Sequence, residues 1–178
     1  FIDIGTTGIP KYQDFAVKLN FPMKKGRLTL FGIGGTSQID MLDSKQNEQA
    51  LYSDEGQDLY NGSDMAAAGI TYTRIFSDRL YSRISLSGLF QNCWTKIDTL
   101  DADINPHRWI THSTKEFKLS ANWMISHKQS SRFSEKAGIS IDRLGFDLET
   151  ESFDNDLGQL VKRMDFSRSL AEGNKLVR

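Results

Sequence analysis

Apolar residues in this chain recur at every second position rather than at helical spacing, which predicts β-strands with one apolar and one polar face. Between about 12 and 21, Phe15, Val17, Leu19 and Phe21 share one face, and Asp14, Ala16, Lys18 and Asn20 share the other. Pro22 has no N–H to give to a ladder and is expected to stop that strand. Past Met23-Lys24-Lys25-Gly26 a return strand is predicted at about 27–40, with a bend or close backbone approach at Gly32-Ile33-Gly34-Gly35. Further strands are predicted at about 65–76, 80–97, 113–127 and 132–148. The clearest is 80–97, where Leu80, Ser82, Ile84, Leu86, Gly88 and Phe90 alternate with Tyr81, Arg83, Ser85, Ser87 and Leu89, one face mostly apolar and the other mostly polar. In 113–127, Phe117, Leu119, Ala121, Trp123 and Ile125 oppose Lys118, Ser120, Asn122 and Ser126. A further strand is expected to begin near Gly173.

Between these strands the connections alternate short and long, the long ones predicted at about 41–64, 98–112 and 149–172. Charge follows the same division. Segment 40–64 holds seven carboxylates and one lysine, 98–112 three and one arginine, and 147–173 seven against three basic residues. Part of the opposing positive charge falls in the short turns, at Lys24, Lys25 and Arg27, at Arg79 beside Asp78, and at Lys128 and Arg132. Strands long enough to cross a bilayer, brief turns at one rim and long loops at the other are the signature of an outer-membrane barrel. A soluble sandwich usually has strands of about five or six residues. The fold class is therefore all-β, an antiparallel meander of about six to seven long strands forming an incomplete segment of a transmembrane β-barrel.

Composition alone decides little, since 38% hydrophobic and 25% charged residues would suit an ordinary soluble domain. No apolar run approaches the roughly 18 residues of a spanning helix, and no signal peptide is present. The single Cys93 excludes an internal disulfide and any multi-cysteine metal site. The chain opens on Phe1 and closes on Leu176-Val177-Arg178 just as an apolar pattern resumes, so the polypeptide is expected to continue on both sides. Six or seven strands do not close a barrel, which points the same way, because even small bacterial barrels have about eight.

The stretch Ile9-Pro-Lys-Tyr-Gln-Asp-Phe-Ala-Val-Lys-Leu-Asn-Phe-Pro-Met-Lys-Lys-Gly26, followed by Leu30-Phe-Gly-Ile-Gly-Gly-Thr-Ser-Gln-Ile-Asp40, resembles the barrel of TonB-dependent receptors of the Bacteroidetes type. That resemblance implies a bacterial outer-membrane barrel of about twenty-two strands, bounded by outer-membrane lipid and filled by an N-terminal plug. It implies energy-coupled uptake of a nutrient, driven by an inner-membrane TonB complex that acts through an N-terminal box. Neither plug nor box lies in this chain. The transported ligand, a small molecule, glycan or peptide, is not specified. Two other readings stay open: a structural or adhesive outer-membrane barrel without energy coupling, and a secreted ligand-binding β-sandwich.

Candidate chemistry is sparse. Asp101 with Asp103, and Asp154 with Asp156, supply hard oxygen ligands at short spacing but lack the full calcium-loop pattern, so they are read as solvated loop charge. His107, His112 and His127 show no metal-ligand spacing. No serine sits in a Gly-x-Ser-x-Gly elbow, and Gly32-Ile-Gly-Gly35 lacks the spacing and the following helix of a phosphate cradle. The protein is expected not to be an enzyme, and no cofactor, metal or nucleic-acid partner is expected. Ligand contacts, if the outer loops make them, fall to Tyr52, Tyr60, Arg108 and Trp109. Phe21, Phe76, Trp94 and Trp123 are the candidates for interfacial girdles.

Overall fold

The computed structural model describes residues 10–45 and 56–177, and for 171–177 the backbone alone. Seven antiparallel strands form one sheet in sequence order: β1 (Lys11–Met23), β2 (Gly26–Leu42), β3 (Gln57–Ser77), β4 (Leu80–Leu100), β5 (Pro106–Lys128), β6 (Ser134–Asp154) and β7 (Gln159–Val177). Among the described residues the one other element is a 3-10 turn, Asp43–Lys45. No helix among the described residues is long and apolar enough to cross a membrane. Strands β1 and β7 each pair on one side only, so the sheet is open.

The strands run well past the predicted ends. Residues 57–64, 98–100, 106–112 and 149–154 are strand rather than loop, and β7 starts at Gln159 rather than near Gly173. The connections shrink to 24–25, 43–56, 78–79, 101–105, 129–133 and 155–158, so the alternation of short and long survives only at 43–56. The extensions carry polar residues on both faces, which erases the period-2 signal although the backbone ladder continues. The acidic segments are thus mostly strand ends joined by tight turns. Pro22 does not end β1 but pairs in register with Arg27. Among the described residues β1 is the outermost strand, where a residue without an N–H is tolerated.

Pairing fixes two unlike faces, since directly opposed residues in an antiparallel ladder point the same way. On the first face one rung runs Phe21, Leu28, Tyr72, Ile84, Trp123, Ile139, and the next Leu19, Leu30, Ile70, Leu86, Ala121, Ile141. Two more rungs follow, Val17 to Arg143 and Phe15 to Gly145, before the face turns polar at Gln13, Thr36, Asp64, Asn92, Lys115 and Asp147. The second face carries Asn20, Thr29, Thr71, Ser85, Asn122 and Ser140 on one rung. Hydroxyl and amide groups bond across it, Thr29 to Asn20 at 2.9 Å and Thr71 with Ser85 at 3.0 Å.

No apolar side chain among the described residues is buried; the buried polar residues are Asp58, Asp98 and Ser126. The apolar face stands open, with Leu86 52%, Phe15 61% and Ile141 54% exposed. A sheet that leaves such a face uncovered does not account for its own stability, because hydrophobic burial is the main favourable term in folding.

Glycines lie opposite aromatic residues along the sheet. Phe15 faces Gly34, Phe31 faces Gly69, Trp94 faces Gly62 and Phe117 faces Gly145, each ring lying against its glycine partner. The bend expected at residues 32–35 is this close approach: a Cβ on Gly34 would stand 2.8 Å from the Phe15 ring, and one on Gly35 2.8 Å from the Gln13 carbonyl oxygen.

Candidate functional site

Four residues were read from the sequence as ligand contacts, and the structure places three. Tyr60 lies on β3, and Arg108 and Trp109 lie on β5, all in strand extensions rather than loops; Tyr52 falls outside the described residues. Tyr60 and Arg108 meet on the first face, with the guanidinium carbon 5.9 Å from the Tyr60 ring centre. Trp109 goes elsewhere, its ring 6.5 Å from that of Phe153.

A bulge brings Arg108 to its partner. The β4–β5 register slips between Ile97 and Asp98, so Ile97 opposes Ile110 while Asp98 opposes Arg108. Arg108 then pairs with Asp98, its Nε against Oδ1 and its Nη2 donating to Oδ2 at 3.3 Å. Asp98 in turn lies directly across the ladder from Asp58. Two adjacent carboxylates repel unless each is compensated. Asp98 has the guanidinium; Asp58, 1% exposed, accepts from the Ser44 amide at 2.9 Å and the Ser44 hydroxyl at 2.7 Å. Tyr60 stands three rungs beyond the apolar band, and burial first, then the charges of Asp58 and Asp98, push its phenol above the usual 10. It therefore remains a neutral hydroxyl at physiological pH.

The cluster is a clamp. Asp58 ties the 43–45 turn to the start of β3, and Asp98–Arg108 ties the end of β4 to the start of β5. Asp58 is satisfied by Ser44 and Asp98 is ion-paired with Arg108, although Asp98 Oδ1 and Arg108 Nε make no well-aligned hydrogen bond; what the cluster presents outward is the Tyr60 ring beside a cation.

The other candidates resolve into turn chemistry. Asp101 Oδ1 accepts from the amides of Asn105 at 2.8 Å and Asp103 at 2.9 Å, and its Oδ2 lies 3.0 Å from His107 Nε2. The Asn105 amide bond first, then His107, holds the Asp101 carboxyl down to about 2. Asp154 caps the 155–158 turn in the same way, accepting from Asp156 N at 3.0 Å and from Arg163 Nη2 at 2.8 Å. His112 Nδ1 lies 2.9 Å from Thr150 Oγ1, and His127 opposes Leu80 at the other end of the sheet. Among the described residues no group of three or more His, Cys, Asp or Glu is placed to hold a metal ion.

Three arginine and lysine residues that sequence reading left to the turns or to the polar face, Lys18, Arg27 and Arg83, converge on a depression of the second face. Their spacing in sequence carries no sign of it, because the register of four strands, β1 to β4, brings them together.

No protein-family model matches the chain, and no curated protein matches it. The likeness to TonB-dependent receptors therefore rests on the residues quoted from 9–26 and 30–40.

Proposed function

We propose that this sheet is a stretch of the wall of a transmembrane β-barrel in the bacterial outer membrane, belonging to a TonB-dependent receptor that takes up a nutrient. The observation that carries the reading is the uncovered apolar band: four successive rungs of one face, polar rungs beyond it, and no apolar core among the described residues. From the flanking Met23–Ile125 rung, which also holds Arg74 and Ser82, to the Phe15–Phe117 rung, five rungs run along Ser82 to Phe90 of β4, roughly 27 Å at strand rise. Tilted by about 35–45°, that spans roughly 20 Å across a membrane, close to the roughly 25 Å apolar belt of such barrels.

Aromatic placement supports the same reading. Phe21 and Trp123 share the rung at the short-turn margin, and Trp123 gives its indole N–H to Ser82 Oγ at 2.9 Å, so the ring keeps a satisfied polar handle. Phe76 lies beyond them with Arg74 5.5 Å from its ring, and Trp94 lies two rungs past the opposite margin with Lys96 5.0 Å from its ring. These are the residue pairings favoured where hydrocarbon meets headgroups. Strands of 19 to 23 residues in β3 to β7 exceed the roughly 9–11 needed to cross, and the acidic excess lies in ends that would stand in water.

In this reading the first face meets lipid, the second faces the interior, and the edges of β1 and β7 pair with further strands of the same barrel. Energy coupling and nutrient uptake come from the family resemblance. Cysteine labelling in intact membranes tests the wall: with Cys93 replaced by Ser, Leu86→Cys should react with a lipid-soluble maleimide and not with a charged one, and Ser85→Cys the reverse. Equal labelling of both by the charged reagent would overturn the membrane assignment. Loss of ligand uptake on collapsing the inner-membrane proton gradient tests the coupling; uptake that continues unchanged marks a barrel without it.

A further inference from the structure

The second face carries a cationic depression that the wall reading does not require. Arg27 and Arg83 both lie directly opposite Thr73, one on each side, so their backbones stand about two strand spacings, roughly 10 Å, apart. Both side chains leave the same face, and Arg83 Nε donates to Thr73 Oγ1 at 3.4 Å, which orients that guanidinium over the rung. The next rung supplies Asn20, Thr29 and Thr71, and Lys18 closes the far side. The hollow holds about 500 Å³, and among the described residues no carboxylate lines it.

From this geometry we infer that the depression is a binding site for a phosphate-bearing small molecule. Two guanidinium groups lining one hollow beside hydroxyl groups suit the planar, bidentate recognition that phosphate oxygens favour, and a third cation at the edge suits a second phosphate. The basic turn at Lys24 and Lys25 lies at the same end of the sheet and adds to the local positive potential. The site lies on the face that the membrane reading keeps out of lipid, and it requires nothing else of that reading.

The test is titration of the intact polypeptide that carries this sheet, purified in detergent, with inorganic pyrophosphate by calorimetry. Saturable binding is expected, weakening as salt is raised, and falling at least tenfold in Arg27→Gln and in Arg83→Gln with unchanged strand content by circular dichroism. Lys18→Gln should lose less, and Lys96→Gln, on the opposite face, nothing. Should either glutamine variant fail to fold, Arg27→Lys and Arg83→Lys replace them, keeping the charge but losing the fork, and an intermediate loss is expected. Absence of saturable binding by the unmodified protein, as when an acidic segment of the same polypeptide already fills the hollow, overturns the inference. So does binding that both arginine variants retain.

Discussion

The indole of Trp94 lies over Gly62, its direct partner across the β3–β4 ladder, so closely that a Cβ on Gly62 would overlap the ring. A glycine opposite a large ring lets the ring lie along the sheet and cover the backbone bonds beneath it, offsetting what glycine costs in a strand. Gly62→Ala should displace Trp94 and destabilise by about 1–3 kcal/mol. With Trp109 and Trp123 replaced by Phe, the remaining emission reports the ring directly, and an unchanged spectrum together with an unchanged urea midpoint would contradict the pairing.

The clamp at the far end of the sheet gives a second prediction. Asp98 has a side chain 9% exposed and Arg108 one 34% exposed, so the pair is partly shielded rather than solvated. Removing one partner leaves the other charge short of compensation, and Asp98 also loses its buffer against Asp58. Because about a third of Arg108 is wet, Arg108→Ala is expected to cost about 1–3 kcal/mol, below the range for fully buried pairs. A double-mutant cycle with Asp98→Asn should return a coupling of similar size; additivity would show that the two do not act together.

How legible this was differs along a single strand. In β4 the alternation of Leu80, Ile84, Leu86 and Phe90 with Arg83, Ser85 and Ser87 predicts both the strand and its apolar face, because period-2 alternation sorts side chains onto the two faces of a sheet. Past Asn92 both faces carry polar residues, alternation is lost, and the ladder is held by backbone bonds that leave no trace in side-chain type. Tyr60 and Arg108 could be nominated from residue type but not brought together, since their meeting depends on the register of three strands and on the bulge at Ile97 and Asp98. Asp58 and Asp98 went unnoticed because in a presumed loop a carboxylate is unremarkable.

The two faces should differ sharply in their tolerance of charge. Leu86 sits within the apolar band and Ser87 on the opposite face. If the band meets hydrocarbon, Leu86→Arg costs about 2–4 kcal/mol, and Ser87→Arg, on the water-facing side, costs little. Folding yield into lipid vesicles measures it. Equal yields for the two variants would count against a lipid-facing band.

Acid should loosen the 101–105 turn. The Asp101 carboxyl falls from an ordinary 3.8 to about 2, chiefly through the Asn105 amide and then His107. A carboxylate whose folded value is depressed stabilises the fold above its unfolded value and loses that contribution as pH falls through the folded one. The change therefore lies between about pH 3.8 and about 2. Hydrogen exchange at the Asp103 and Asn105 amides should lose protection across that interval in the native protein. Asp101→Ala should exchange fast throughout, with no step.

The same turn holds Ile104 at φ 64°, a left-handed conformation that a β-branched residue adopts only under strain. The side chain is 58% exposed, so little packing repays the cost. Left-handed backbone costs an L-residue roughly 1–2 kcal/mol, and glycine avoids it at an entropic cost of about 0.5–1 kcal/mol. Ile104→Gly is thus expected to stabilise by about 0.5–1 kcal/mol. Ile104→Asn, which tolerates this region while keeping a side chain, should stabilise as well. The matching control is Leu157, exposed in the neighbouring 155–158 turn without a positive φ, where glycine should destabilise. If Ile104→Gly and Leu157→Gly lowered the urea midpoint alike, the strain assigned to Ile104 would be absent.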